Sequence, residues 1–115
     1  MNLDNTIRGR EGEEIACQYL ESEGHDLLFR NFRNRLGEID IISIKKDSIF
    51  FIEVKNWNKN LISPLEIFTK KKIFVMRSLA DCFFFKNPKY SNKFFVSFGL
   101  IEVSKEKVQF HRDLF

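Results

Sequence analysis

The chain has 115 residues, of which 43% are hydrophobic, with 14 phenylalanines against two tyrosines and one tryptophan. This length excludes two independent domains and fits one domain whose core is filled mainly with aromatic side chains. The formal net charge of +3 permits a polyanionic partner without requiring one. The apolar stretch from Ile73 to Phe85 is too short and too polar to span a bilayer.

The cellular compartment is predicted from the two cysteines and the N-terminal sequence. Cys17 and Cys82 are interpreted as small buried hydrophobic residues in a reducing compartment. Nothing before residue 20 resembles a charged segment followed by the apolar core of a signal peptide. We therefore expect a soluble, cytoplasmic protein that does not contact a membrane.

Residues Asp4 to Gly24 are predicted to form a helix, because small and apolar residues recur at spacings of three and four positions. With Ala16 at the centre of the apolar face, Glu13 falls about 60° away, and the neighbouring glutamates point to solvent. Gly12 lies near the same centre line and would let the helix approach a sheet closely. The sequence therefore predicts that Glu13 is the helix carboxylate nearest to the strands.

Two strand-like runs, residues 37–44 and 48–55, are predicted to form a hairpin joined by a short polar turn. If the turn is centred on residues 46–47, Asp40 lies opposite Glu53, and Glu38 lies opposite Lys55. Strand alternation places Glu38, Asp40 and Ile42 on one face, although a bulge in one strand would undo this placement. Two facing carboxylates repel each other unless a cation lies between them.

That cation has two candidate identities. Lys55 would serve in a local ion-pair network at the end of the sheet. A divalent metal ion is the alternative, because Mg²⁺ is held by one or two carboxylates together with water and phosphate oxygens, and Asp40 and Glu53 supply such ligands.

The remaining elements are predicted from caps and hydrophobic patterns. An extended segment, His25 to Phe32, precedes the hairpin, and a helix follows from Ser63, Pro64 and Glu66 to about Phe85. Lys72 lies near the apolar face of that helix, where its stem either snorkels along the core or points its ammonium across the sheet edge toward anions. Residues 93–103, apolar on both faces, are predicted to be a covered strand, and residues 105–110 a last short strand.

Asp40 followed by Glu53-Val54-Lys55 resembles the core motif of the PD-(D/E)XK nuclease superfamily. Weaker agreement continues through Pro64, Glu66 and Lys72 to the last residues, so the resemblance covers nearly the whole chain. Three further motifs occur at matching distances: Gly12-Glu13 with Ala16 and Tyr19-Leu20, Arg30-Asn31-x-Arg33, and Gly37-Glu38-Ile39-Asp40-Ile41-Ile42. With them, the chain resembles the YraN-like family of uncharacterised bacterial proteins. That family is similar to archaeal Holliday-junction resolvases.

This resemblance implies a fold and an activity. The implied fold is α/β, a restriction-endonuclease-like three-layer α/β/α core whose mixed sheet of about five strands has a helix before and a helix after the catalytic hairpin. The implied protein is a single nuclease-like domain over residues 1–115, often a homodimer, that hydrolyses phosphodiester bonds in branched or junction DNA with Mg²⁺, or Mn²⁺ as a substitute. Carried over by position, Glu13, Asp40, Glu53 and Lys55 are the catalytic residues, and Asp40 and Glu53 are the metal ligands.

The DNA contacts are expected from basic residues before the hairpin and in the second helix. Such residues hold the phosphate backbone without reading base sequence. They are Arg30, Arg33, Arg35, Lys70, Lys71 and Lys72.

Two departures from the family pattern keep other functions open. Trp57 stands where the family usually has a basic residue, and residues 94–96 lack an acidic residue that the family usually has. Trp57 is interpreted either as a stacking partner for an unpaired base or as a half-buried aromatic. The alternative functions are a non-catalytic DNA-binding module of the same fold and a scaffold with a purely structural ion-pair network.

Overall fold

The computed structural model describes residues 3–56, 64–105 and 107–115. Its strands form one sheet in the order β1-β2-β3-β4-β5, in which β3 and β4 run parallel and every other pair is antiparallel. The α/β class and the mixed five-stranded sheet are thereby confirmed. The helices and strands of the described residues are α1 (Leu3–Ser22), β1 (Asp26–Asn34), β2 (Gly37–Lys45), β3 (Ser48–Asn56), α2 (Pro64–Ile67), α3 (Lys70–Lys86), β4 (Phe95–Ser104) and β5 (Lys107–His111).

The two long helices cover opposite faces of this sheet. On one face α3 buries Met76 and Phe83 against the sheet, and on the other α1 buries Ala16 and Leu20. The result is three layers, α/β/α. No helix in the described part of the chain is long and apolar enough to cross a membrane.

The prediction that β4 is apolar on both faces is confirmed for its middle and wrong for its start. Leu100 lies in the α3-side core, and Ile101 and Val103 lie in the α1-side core. Phe95 and Val96 are instead 73% and 44% exposed. They lie at the turn end of the sheet, where Phe95 donates its N–H to the carbonyl of Asp47, while the core residues of β4 lie further along the strand.

The predicted continuous helix from Pro64 to Phe85 is wrong, because α2 ends at Ile67 and α3 begins at Lys70. Thr69 caps α3: its backbone is extended and its hydroxyl accepts the Lys72 N–H at 3.1 Å. The break lets Phe68 enter the core, where it is 8% exposed. The predicted cap at Ser63 lies outside the described residues.

Candidate functional site

The site begins at an irregularity in β1. Asn31 has a φ of 55°, a left-handed conformation that asparagine tolerates better than most residues. Pairing with β2 continues on both sides of it. Phe29 and Phe32, three positions apart, nevertheless both pack edge-on against Phe83 of α3. The side-chain alternation of β1 therefore changes at Asn31.

The side-chain alternation of β2 also changes, at the position that faces Asn31 of β1. Ile39 and Ile42 are also three positions apart, and both lie in the α3-side core. The prediction that Glu38, Asp40 and Ile42 share one face is therefore wrong. The irregularity that sequence reasoning allowed for lies at Asp40, opposite Asn31 in the β1–β2 register.

The predicted register of the hairpin is confirmed near its turn and ends before the acidic residues. Pairing runs from Lys45 and Ser48 to Ile41 and Ile52. Beyond that point the Asp40 Oδ2 atom accepts the backbone N–H of Val54 at 2.7 Å, taking the place of a backbone acceptor.

The predicted pairing of Glu38 with Lys55 is wrong for the same reason. Glu38 Oε2 lies 3.6 Å from Arg33 Nε, and Glu38 Oε1 accepts a hydrogen bond from Asn31. Lys55 lies beside Glu102 on β4, and its ammonium contacts Glu53.

Three carboxylates from α1 and β2 come together at this point. Ligand oxygens of Glu13, Glu38 and Asp40 all lie within 4.8 Å of one another. The Asn31 amide donates to Glu13 at 2.9 Å and to Glu38 at 2.7 Å, so it joins two of them. The helix reaches the strands because Gly12 is small: a Cβ there would lie 2.8 Å from the Cβ of Asn56. The predicted approach of Glu13 to the strands is confirmed.

The Asp40 carboxyl is held in an environment that disfavours its charge. Burial raises its pKa, the charge of Glu53 raises it further, and the Val54 N–H lowers it; Glu13 and Glu38 add smaller increases, and the resulting pKa is about 7. Within the described residues no basic side chain pairs with Asp40. Asp40 therefore favours a bound proton or a bound cation.

Glu53, unlike Asp40, has charged partners. Its side chain is 8% exposed, and its two oxygens contact Lys72 Nζ at 2.8 Å and Lys55 Nζ at 3.3 Å. Lys72, whose direction the sequence left open, thus turns its ammonium into the site. The structure brings together all four predicted catalytic residues, but the three-carboxylate cluster contains Asp40 and not Glu53.

The carboxylate cluster fits a hard divalent cation. Two ligands of one Mg²⁺, each at about 2.1 Å, are at most about 4.2 Å apart, so small side-chain rotations bring oxygens within 4.8 Å to that spacing. Burial and, after it, the charges of neighbouring carboxylates raise the pKa of Asp40, and a bound cation would act against both effects. Glu13, Glu38 and Asp40 are the residues that would hold the ion. Glu53 as a ligand stays a prediction.

The predicted DNA-binding residues fall into paired and exposed sets. Arg30 contacts Glu14 at 3.1 Å, and Arg33 contacts Glu38. Arg35 is exposed in the β1–β2 turn, and Lys70 and Lys71 are exposed at the start of α3.

A groove of about 280 Å³ lies between the β1–β2 turn and α3 and reaches the site. It is lined by Leu36, Gly37, Glu38, Ile67, Thr69, Lys71, Lys72 and Val75. Trp57 lies outside the described residues.

Sequence reasoning missed Asn31 as a member of the site. It fell in the predicted extended segment and in the motif Arg30-Asn31-x-Arg33 of the family resemblance, but it was given no role in the site. Its available signal was an asparagine inside a strand, since asparagine is enriched where a non-glycine residue takes a positive φ.

The fold and the site together define a three-layer α/β/α protein with an acidic cluster where one helix meets two strands. The chain belongs to the uncharacterised protein family UPF0102, whose profile matches residues 12–103. This confirms the predicted YraN-like family. The match begins at the glycine that precedes Glu13 and ends in β4.

Bacterial relatives cover nearly the whole chain. A UPF0102 protein of Leptospira interrogans is 40% identical over 110 residues, which is 94% of each protein. One of Campylobacter hominis is 37% identical over 110 residues, covering 96% of this chain and 95% of the relative. One of Clostridium botulinum is 40% identical over 104 residues, covering 90% of this chain and 84% of the relative.

Proposed function

We propose that this protein is a metal-dependent endonuclease with a restriction-endonuclease-like core that hydrolyses phosphodiester bonds in branched or junction DNA. The observation that carries the proposal is the environment of Asp40, a partly buried carboxyl whose pKa is raised to about 7 by burial and by the charges of Glu53, Glu13 and Glu38. Gathering these acids costs stability, and a divalent cation offsets the cost.

Each residue of the site has a role in this proposal. Glu13, Glu38 and Asp40 hold the ion, and Asn31 fixes two of them. A bound Mg²⁺ or Mn²⁺ supplies Lewis-acid polarisation of the phosphate and lowers the pKa of a water molecule. Lys55 is 38% exposed and can donate a hydrogen bond to a phosphate oxygen as negative charge develops there.

Substrate binding is proposed to follow the groove between the β1–β2 turn and α3. Exposed Arg35, Lys70 and Lys71 would contact phosphates near this groove, and Lys72 joins the groove to Glu53. Contacts of this kind make affinity fall with salt and select no base sequence. Branched DNA is proposed from the family resemblance.

The test is a cleavage assay on branched, flapped, single-stranded and linear duplex DNA, with and without Mg²⁺ or Mn²⁺. Asp40→Asn is the informative variant, because its amide oxygen can still accept the Val54 N–H. Asp47→Asn, exposed in the β2–β3 turn, is the matched control. We expect metal-dependent cleavage that Asp40→Asn abolishes and Asp47→Asn retains. Absence of cleavage on every substrate, or equal cleavage by both variants, contradicts the enzyme proposal.

A second candidate function is a non-catalytic DNA-binding module, favoured by the double ion pair of Glu53. Lys55 and Lys72 already neutralise this carboxylate. This alternative predicts salt-sensitive DNA binding that survives Glu53→Gln, without cleavage by the wild type. No binding to junction or duplex DNA at low salt would contradict it.

A further inference from the structure

A second polar pocket lies on the α1 side of the sheet, where the C-terminal end of α1 faces β2 and β5. Its volume of about 260 Å³ is below the roughly 300–1,000 Å³ of pockets that enclose whole small molecules, so it suits a small ionic group. We call it the His25 pocket. It is lined by Tyr19, Glu23, His25, Lys45, Phe110 and Arg112.

His25 is a buried polar side chain, and one of its two ring nitrogens is hydrogen-bonded within the protein. It is 6% exposed, and its ring packs between Phe50 and Phe110 at centroid distances of 4.8 and 5.8 Å. Nδ1 lies 2.9 Å from the Ser43 hydroxyl, while Nε2 has no partner among the described residues. If the hydroxyl donates to Nδ1, the neutral ring carries its proton on Nε2 and becomes a donor.

The charges that face His25 are mainly positive. Burial lowers the pKa of His25 to about 4, the cations Lys45 and Arg112 lower it as well, and Glu23 acts in the opposite direction. In the part of the chain that the structure describes, neither Lys45 nor Arg112 forms an ion pair. Two cations therefore face one carboxylate across a pocket that also holds the Tyr19 hydroxyl.

The C-terminal end of α1 carries a partial negative charge, and backbone N–H groups hydrogen-bond its terminal carbonyls. The His25 N–H donates to Leu20 and the Gly24 N–H to Glu21, with Gly24 at a φ of 90°, which is a Schellman motif. This cap also fixes the backbone of His25. The pocket thus has rigidly placed donors and unpaired positive charge.

We propose that the His25 pocket binds a phosphate group, held by Lys45 and Arg112 with a hydrogen bond from His25. The binding site is separate from the acidic cluster: Lys45 lies five positions after Asp40 on β2, roughly 17 Å along the strand. It does not depend on the proposed nuclease activity. The phosphate belongs either to a free phosphate compound or to a DNA backbone, and both present the same oxygens.

The test follows the His25 imidazole by NMR at pH 7 while inorganic phosphate is added at constant ionic strength. The chain has only two histidines, so a His111→Gln variant assigns the signals. We expect a saturable shift of the His25 signals, and a Lys45→Gln, Arg112→Gln double variant that weakens the response at least tenfold. Lys46→Gln, exposed in the adjacent turn, is the control that removes a charge outside the pocket. No saturable response in the wild type, or an equal response in the double variant, overturns the proposal.

A DNA arm identifies the source of the phosphate. If it is a backbone phosphate, unlabelled duplex displaces inorganic phosphate from His25, and the salt slope of DNA binding falls by about 1 to 2 in the double variant. If it is a free compound, DNA leaves the His25 response unchanged, whereas a nucleoside monophosphate displaces inorganic phosphate. Failure of both DNA and nucleoside monophosphate to compete contradicts both phosphate esters as the ligand and leaves inorganic phosphate as the group that the pocket binds.

Discussion

Lys72 of α3 contacts Glu53 of β3 with an Nζ–Oε2 distance of 2.8 Å, shorter than the 3.3 Å from Lys55 to the other oxygen. This contact ties the helix layer to the site, because Glu53 is buried and both of its oxygens contact lysine side chains. It also separates the roles of the two lysines. Lys72 is the closer partner, and the side chain of Lys55 is the more exposed of the two, 38% against 31%.

Replacing Lys72 by Gln should destabilise the protein by about 1–3 kcal/mol, because a buried carboxylate loses one of its two charged partners. Lys71→Gln, the exposed neighbour, should change stability by less than about 0.5 kcal/mol. Urea denaturation at pH 7 compares the two variants. Equal stabilities would show that Glu53 does not depend on α3.

Asp40→Asn should stabilise the protein above neutral pH. Folding raises the pKa of Asp40 from 3.8 to about 7, so the native state binds this proton more tightly than the unfolded state. The resulting stability is present below about pH 4 and is lost as pH rises through about 7. Asparagine does not ionise, so the stability of the variant relative to the wild type should rise by up to about 4 kcal/mol from pH 4 to pH 8.

The measurement is the difference in unfolding free energy between the wild type and Asp40→Asn across that pH range. Asp47→Asn should track the wild type. A variant less stable than the wild type at pH 8 would instead support the structural ion-pair network, which requires the Asp40 charge.

Divalent ions should raise the melting temperature of the wild type. At one hundred times its Kd, an ion that binds only the folded state adds about 2.7 kcal/mol. The rise should be larger at pH 8 than at pH 6, because a carboxylate must lose its proton to bind metal. Calorimetry with and without Mn²⁺ measures the rise in melting temperature. The control variant Asp47→Asn should show the same rise as the wild type. An equal rise in Asp40→Asn would place the ion elsewhere.

At Asn31, glycine should be tolerated better than alanine. Both variants lose the amide that joins Glu13 and Glu38, but alanine also pays about 1–2 kcal/mol for the left-handed backbone. Strand interiors usually show the reverse order, with glycine about 0.5–1 kcal/mol worse than alanine. Arg30 of the same strand provides the matched pair, and Arg30→Ala should be more stable than Arg30→Gly in the same denaturation experiment. The usual order at Asn31 would argue against its backbone conformation.

Gly12→Ala should destabilise the protein although alanine favours helices. The helix gains about 1 kcal/mol from the substitution. The new Cβ would lie 2.8 Å from the Asn56 Cβ, and overpacking of this kind costs about 1–3 kcal/mol. The clash also pushes Glu13 away from Asp40, so Mn²⁺ affinity should fall. Gln18→Ala, on the exposed side of α1, should change neither quantity; a more stable Gly12→Ala variant with unchanged affinity would contradict the close approach.

The sequence predicted the features that depend on local rules. The short turn sets the register of Ile41 with Ile52, and helical geometry selected Glu13. The irregularity at Asn31 and Asp40 could not be predicted from the sequence. The alternation rule assumes a regular strand, and the identity of a polar residue does not show which face of the sheet it occupies.

Two further differences also come from tertiary contacts. Pro64 is a favourable first residue for a helix, and Thr69 is a favourable N-cap for a second one. The helix is interrupted between them, where Phe68 is buried in the core. The contact of Lys72 with Glu53 joins residues far apart in sequence. It could not be predicted without knowing which face of the sheet α3 covers.

The side-chain alternation of β1 and β2 changes at Asn31 and Asp40, where carboxylates held by different layers come together. Glu13 comes from α1, Glu53 is held by Lys72 of α3, and Asp40 feels both of these charges and that of Glu38. Neutralising Asp40 therefore relieves its repulsion by all three carboxylates at once. If a cation binds the carboxylate cluster beside α1, its affinity should therefore depend on the contact of Lys72 with Glu53, so a change in one layer of the protein would alter the charge state of the other.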